Sequence, residues 1–220
     1  MEIFDSEAKL YDSWYNTALG NYVLTKESNL LLSMVGNTSN QRILDVGCAT
    51  GIHTKLFAKN GNEVTGVDIS QDMINEARKI DIPNLSFYKM DATKLEFADN
   101  SFDLIISATM IEFIKNRNGF INEVFRVLKP GGRFVLGTIQ KHSHFYNLYM
   151  TPFFQENTVF KYADFLSNED LINLHDKFYV RSSECLFNEP QKIEDNPEIH
   201  DNKTDLVGSF IVAEYIKGEE

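Results

Sequence analysis

A chain of 220 residues with 21 Lys+Arg against 32 Asp+Glu has the length of one domain and a formal net charge of −11. That acidity argues against a protein that grips phosphate backbones, because nonspecific nucleic-acid affinity comes from Lys and Arg. Hydrophobic residues at 43% and charged residues at 24% are globular proportions and exclude a disordered or collagen-like chain.

Taken in chain order, the N-terminus (MEIFDSEAKL) is acidic from its second residue and does not fit a secretory n-region. From about Asp5 to Val35 the pattern is helical. Phe4, Leu10, Tyr11, Trp14 and Ala18 recur at spacings of three and four, Gly20 is expected to end the first helix, and Val23, Leu24, Leu30, Leu31 and Met34 fall on a second. The period then changes. Arg42 to Val46 reads as a short buried strand, followed by a Gly-containing turn and an expected helix through about Asn60. Glu63 to Val67 is the next strand, with Ser70 as N-cap of a helix holding Met73, Ile74 and Ala77. Leu85 to Met90, Phe102 to Ser107 and Arg133 to Thr138 complete five short apolar strands, with a helix from about Arg117 to Leu128 stopped by Pro130-Gly131-Gly132. Strands alternating with helices at this spacing predict a parallel sheet covered on both faces.

Beyond Thr138 the rhythm breaks. Eight aromatics lie between residues 145 and 165, Ser167 and Asp170 form a capping-box pair, and Val180 to Phe187 and Leu206 to Ile216 read as an antiparallel hairpin on the sheet edge. The polar stretch Asn188 to Lys203, with two prolines, is expected to be a loop. The longest apolar stretch, Phe102 to Ile114, contains Asp103 and Glu112 and falls short of the roughly 18 residues of a membrane span. Cys48 and Cys185 are too few for a disulfide framework, so the expected setting is cytoplasmic with reduced thiols.

Asp45-Val46-Gly47-Cys48-Ala49-Thr50-Gly51 lies directly between a strand and the expected helix. In an open parallel sheet that is where ligands bind. Gly47 and Gly51 let the backbone turn tightly and approach a ligand closely. Asp68 ends the second strand about 20 residues on, where a carboxylate accepts hydrogen bonds from ribose hydroxyls. Together these features point to an adenosine ligand.

Ile43 to Gly51, Gly66-Val67-Asp68-Ile69-Ser70, Met90-Asp91-Ala92, Asn100 to Ile106 and Val127 to Gly132 follow one another in order. This series strongly resembles the class I S-adenosylmethionine-dependent methyltransferases, particularly the small-molecule branch that includes the ubiquinone and menaquinone biosynthesis enzymes. The resemblance covers roughly residues 40 to 140. It implies an α/β, Rossmann-like sheet of seven mostly parallel strands in order 3-2-1-4-5-7-6 with strand 7 antiparallel, helices on both faces and an N-terminal helical cap. Within one domain of 1–220, it divides the chain into a cap (1–39), a cofactor-binding core (40–140), an aromatic lid segment (141–177) and a C-terminal hairpin (178–220).

Carried over position by position, the turn Gly47, Cys48, Ala49, Thr50 and Gly51 cradles the methionyl part of S-adenosyl-L-methionine, with S-adenosyl-L-homocysteine as the product. The resemblance further sets Asp45 under the amino group and Asp68 on the ribose. Ile69 and Met73 pack on adenine, Asp91 bonds its exocyclic amine beside Ala92, and Ser107 bonds the methionine amino group through its backbone. Tyr11 is the expected cap over the cofactor. One departure is visible: Ala49 stands where the family usually has a glycine. Gly47, Ala49 and Ile52 do not supply the glycines of a dinucleotide turn, which disfavours the alternative of an NAD-dependent oxidoreductase. A non-catalytic S-adenosylmethionine-binding module is the other alternative.

Methyl transfer needs alignment, desolvation and, for some acceptors, a base. His142 and His144, alternating as on one face of an extended segment, and Glu112 are the candidate catalytic groups; Glu112 could also hold a cationic amine, or be only a solvated helix start. Trp14, Tyr15, Met110, Ile111 and Tyr146 are candidate substrate contacts. No cluster has metal-ligand spacing, so no metal is expected. Ser107-Ala108-Thr109-Met110 is not the element of amino-directed DNA methyltransferases, no Pro-Cys nucleophile follows the fourth strand, and Cys185 is the only cysteine outside the motif, too few for arsenite chemistry. The expected partner is a small-molecule acceptor, with no nucleic acid and no membrane, in a monomer or homodimer.

Overall fold

The computed structural model describes residues 4–5, 8–203 and 206–219. The expected helix start at Asp5 lies partly outside these, as does the side chain of Leu10. Two helices open the described chain, α1 (Ala8–Tyr15) and α2 (Ala18–Val35). Gly20 does not end the first helix. The break comes at Asn16–Thr17, where the Thr17 hydroxyl accepts from the Gly20 amide at 3.0 Å and caps α2. Gly20 is needed for close approach instead, since a Cβ there would stand 2.0 Å from the Trp14 carbonyl oxygen.

The sheet follows. Its first parallel strands are β1 (Arg42–Val46), β2 (Glu63–Asp68), β3 (Leu85–Lys89), β4 (Phe102–Ala108) and β5 (Leu128–Ile139), with α3 (Gln71–Ala77) and α4 (Arg117–Val127) between them. Then come α5 (His144–Tyr149), α6 (Pro152–Asn157), α7 (Asn168–Leu174), β6 (Tyr179–Cys185), α8 (Pro190–Asp195) and β7 (Phe210–Ile216). Strand order is β3-β2-β1-β4-β5-β7-β6, with β7 antiparallel to both neighbours. This is the topology the sequence implies.

Three local expectations are corrected. No α-helix follows the glycine turn; Thr54–Leu56 is a single 3₁₀ turn. Its room is limited by left-handed Gly51 on one side and left-handed Asn60 and Gly61 on the other, too short a span to repay helix nucleation. Pro130-Gly131-Gly132 stops α4 but lies inside β5, which begins at Leu128 opposite Phe102. The expected loop 188–203 contains α8, because Pro190 takes the first helical turn, where a missing N–H costs nothing, and Ile193 is fully buried beneath it.

Apolar layers cover both faces of the sheet. Phe120, Val124 and Phe125 of α4 meet Phe134 and Tyr215 on one side, while Leu31, Met34 and Val35 of α2 meet Val135, Phe210 and Val212 on the other. The C-terminus of α2 is held electrostatically. Arg133 of β5 donates to the Val35 and Met34 carbonyls, each at 2.7 Å, and its Nε donates to Glu214 of β7 at 2.6 Å. A cation satisfying the last carbonyls of a helix also complements its dipole. That latch fixes the helix on which Glu27 rides.

Candidate functional site

Two adjoining cavities open at the carboxyl ends of the parallel strands. The smaller, about 140 Å³, is bounded by Gly47, Asp68, Ile69, Asp91, Ala92 and Met110, among others. Its floor is the turn after β1. Gly47 (φ +78°), Ala49 (φ +46°) and Gly51 (φ +81°) are all left-handed. The amides of Gly47 and Cys48 both donate to the Val67 carbonyl, at 2.8 and 3.0 Å, pinning the turn to the end of β2. A Cβ on Gly47 would stand 2.3 Å from Met110 Cγ, so glycine there keeps the wall of the cavity in place.

Asp68 stands at the centre. One carboxylate oxygen accepts from the Ala49 amide at 3.0 Å and the other from the Ser70 amide at 2.9 Å. Burial pushes its carboxyl up from the ordinary value and these amide bonds pull it back. The carboxylate keeps acceptor capacity for a further donor, and the slot beside it is apolar, with Ile69, Met90, Ala92, Met110 and Ile114. A carboxylate at a strand end next to a flat apolar slot fits the ribose and base of a nucleoside, so the residues present suit S-adenosylmethionine.

The other expected cofactor contacts divide. Ile69, Asp91 and Ala92 border this cavity, although the Asp91 carboxylate also accepts from the Thr93 amide and hydroxyl, both at 2.8 Å. Asp45 is buried beneath the turn, where it accepts from the Thr54 hydroxyl at 2.6 Å and burial raises its carboxyl to about 7. Ser107 is buried too, its hydroxyl donating to the Val46 carbonyl at 2.8 Å. Cys48 packs with Ile74, Ala77 and Phe87. Met73 is fully buried and borders neither cavity, so the adenine contact expected of it is not seen. Thr50 donates to Asp12 of α1 at 2.6 Å, tying the N-terminal helices to the turn.

The larger cavity, about 790 Å³, lies between α1, α2, the 3₁₀ turn Ile111–Phe113, α5 and the 3₁₀ turn Val159–Tyr162. Tyr11, Trp14 and Tyr15 border it from α1, with the two tyrosine hydroxyls 3.5 Å apart. Burial raises the Tyr11 phenol to about 12, so it stays protonated. Tyr149 of α5 stacks on Phe160, ring centroids 3.8 Å apart at 11°. The aromatic run at 145–165 is thus in large part a wall. Phe4 and Phe113 border both cavities and meet edge to face at 5.1 Å, forming the partition between them.

Glu112 and Glu27 are the buried carboxyl groups that border this cavity. Glu112 is 1% exposed, not a solvated helix start; its Oε2 accepts from the Thr138 hydroxyl at 3.0 Å and its Oε1 has no partner. Burial lifts its carboxyl to about 7. Glu27, 5% exposed on α2, is lifted by burial and by the field of Glu112 to about 8. His53 Nε2 stands 3.8 Å from Glu27 Oε2, yet burial pulls that imidazole down to about 4. At neutral pH the histidine is uncharged and the distance is too long for a hydrogen bond, so no ion pair forms.

Several expected acceptor contacts are corrected. His142 is an exposed residue at φ +68° in a turn, while His144 begins α5; they do not share a face of an extended segment, and only His144 borders the cavity. Ile111 is a core residue with no exposed surface, and Tyr146 packs edge to face on Phe165 outside the cavity. Met110 borders the smaller cavity instead. Glu27 escaped sequence reasoning altogether, because one acid between Lys26 and Ser28 in an amphipathic helix reads as a solvated face.

Among the described residues, no group of three or more His, Cys, Asp or Glu is placed to hold a metal ion, and no helix is long and apolar enough to cross a membrane. A family described as a methyltransferase domain matches residues 44–136. An uncharacterized protein of Methanocaldococcus jannaschii is 30% identical over 197 residues, 88% of this chain and 90% of its own. A demethylmenaquinone methyltransferase of Tropheryma whipplei is 37% identical over 126 residues, 53% of this chain and 51% of its own, so the chain spans only about half of that relative. A solved S-adenosylmethionine-dependent methyltransferase of Thermotoga maritima, described as a possible histamine N-methyltransferase, superposes with a TM-score of 0.79 over 98% of both chains. At 24% identity that likeness is one of fold.

Proposed function

We propose a small-molecule acceptor for this chain, which belongs to the class I S-adenosylmethionine-dependent methyltransferases. The observation that carries the proposal is the larger cavity: a cleft of about 790 Å³ with nine aromatic residues in its lining, meeting the nucleoside slot at Phe4 and Phe113. Its volume lies within the range that buries a drug-sized ligand. The −11 net charge disfavours an RNA acceptor. The demethylmenaquinone relative, named for a small-molecule substrate, supports the same class.

S-adenosylmethionine supplies an electrophilic methyl on a sulfonium, and the chain's task is to bind, orient and exclude water. In this reading Asp68 takes the ribose hydroxyls, and Ile69, Ala92 and Met110 sandwich the base. The turn Gly47 to Gly51 holds the methionyl end through its backbone. Tyr11, Trp14 and Tyr15 close over the acceptor, and Phe113 and Thr109 border the passage along which the in-line transfer runs. Exclusion of water there strengthens every polar contact made to the reacting atoms.

The test is a calorimetric titration with S-adenosylmethionine and S-adenosylhomocysteine, followed by a small-molecule acceptor screen that reads S-adenosylhomocysteine release. Turnover with a compound that fits the cavity is the expected result. Turnover only with a protein or RNA would overturn the acceptor class.

A further inference from the structure

We propose that the acceptor is an amine that enters as an ammonium ion, held by Glu27 and Glu112 inside the aromatic walls of the larger cavity. This deepens the small-molecule reading and rests on it.

The lining carries the argument. Among the described residues that border the cavity, nine are aromatic, four are glutamates and none is a lysine or arginine. Two of the glutamates, Glu189 and Glu194, sit at the exposed rim on or beside α8. The other two are at least nine-tenths buried. Buried carboxylates are normally paired, because an unpaired charge in a dry interior is costly. Here Glu112 Oε1 has no partner, and Glu27 has only the neutral His53 at 3.8 Å. The guanidinium whose field reaches Glu112, that of Arg117, is outside the cavity and bonded to Asp164 at 3.0 Å. Two carboxyl groups that repel each other in an apolar room therefore await a cation from outside the chain.

The walls suit the same ligand. A cation within about 6 Å of an aromatic face is attracted by the ring quadrupole, and the attraction grows when water is excluded. Anionic acceptors meet the opposite: two buried acids and, among the described residues of the lining, no lysine or arginine to offset them. The raised carboxyl values of both acids are what such a site shows before a cation arrives to hold them ionised.

Glu112 also fits the proton balance of N-methylation. An ammonium nitrogen has no lone pair and must lose a proton before it attacks. The proton passes to Glu112 Oε1. The freed lone pair then forms the N–C bond to the transferred methyl, while the C–S bond breaks with its electrons on sulfur. The products are a methylated ammonium ion, a neutral thioether and one proton, which Glu112 returns to water.

The test uses the whole chain saturated with S-adenosylhomocysteine, saturation being confirmed by its own titration. Calorimetry then compares 2-phenylethylamine, 2-phenylethanol and phenylacetate. The amine is expected to bind about tenfold more tightly than the alcohol, and the carboxylate not at all. Glu112→Gln and Glu27→Gln should each lower amine affinity about tenfold while moving alcohol affinity less than twofold; thermal melts establish that both variants fold. If alcohol and amine bind equally, or if neither variant changes the preference, the cation assignment falls and the small-molecule reading stands. If none of the three probes binds while S-adenosylhomocysteine does, the cation assignment falls, and the small-molecule reading is decided by the acceptor screen.

Discussion

The two cavities share a partition but differ in how they are built. The nucleoside slot is made by strand ends and the turn they dictate. Gly47 and Asp91 follow β1 and β3, Asp68 ends β2, and their positions are set by a ladder of backbone hydrogen bonds. The larger cavity is assembled from α1, α2, α5, α8 and two 3₁₀ turns, pieces far apart in sequence that meet through side chains and isolated backbone bonds, such as that from the Asp164 amide to the Glu112 carbonyl at 2.7 Å. A continuous backbone ladder fixes one to the sheet; packing and scattered hydrogen bonds fix the other. Chemistry shared across a family can live in the first, and selectivity can change in the second without disturbing the sheet.

Four substitutions break or sharpen that contrast. Asp68→Ala should be the most damaging to the first compartment. It removes the proposed acceptor of the ribose hydroxyls, which also accepts from two amides, so S-adenosylhomocysteine affinity should fall at least 100-fold, about 3 kcal/mol. Unchanged affinity in a calorimetric titration would exclude the ribose role.

Glu27→Gln should act through stability and through pH. The folded-state carboxyl stands at about 8 against an ordinary 4.5, so between those values the folded chain holds more protons than the unfolded one. Stability from this group therefore falls as pH rises through that window, and removing the acid should raise stability by on the order of 2 kcal/mol at pH 8 and by almost nothing at pH 4. His53 has the opposite sign. Held at about 4 against 6.5, it makes the native state resist protonation, and its contribution is lost as pH falls through the interval. Denaturant melts of the variant and parent at both pH values decide the matter; a gain independent of pH would mean that the Glu27 carboxyl titrates alike in the folded and unfolded chain.

Phe160→Ala opens the stack with Tyr149 and should cost about 2 kcal/mol of stability while S-adenosylhomocysteine affinity stays within twofold. A large loss of cofactor affinity would show that the two compartments are not separable. The smallest effect is expected from Ala49→Gly. Ala49 is left-handed at φ +46°, and relieving its Cβ should stabilise the chain by about 0.5–1 kcal/mol, read as a rise in melting temperature.

The contrast also explains what the sequence disclosed. Each buried strand is a short apolar run bounded by a turn, so the strands and the acids at their ends were legible, as was the Ser167–Asp170 cap, which forms both reciprocal bonds; the order of the strands came from the family resemblance. The acceptor room was legible only as an unexplained density of aromatics. Glu27 could not be found, since helix periodicity places a polar residue on a face but not what that face meets. His142 misled because alternation implies a strand only where the backbone is extended, and φ +68° takes it out of line. Gly20 misled because helix termination and close approach of a neighbouring backbone call for the same residue.

Helix α1 belongs to both compartments. Tyr11, Trp14 and Tyr15 roof the acceptor side, while Asp12 is tied to Thr50 in the glycine turn on the other. Ahead of it, Asp5 accepts from Ser70 beside the nucleoside slot, and Phe4 stands in the partition. One helix thus contributes to both cavities at once: a substitution that displaces α1 should be felt at the glycine turn through Asp12–Thr50 and at the aromatic wall through Tyr11, Trp14 and Tyr15.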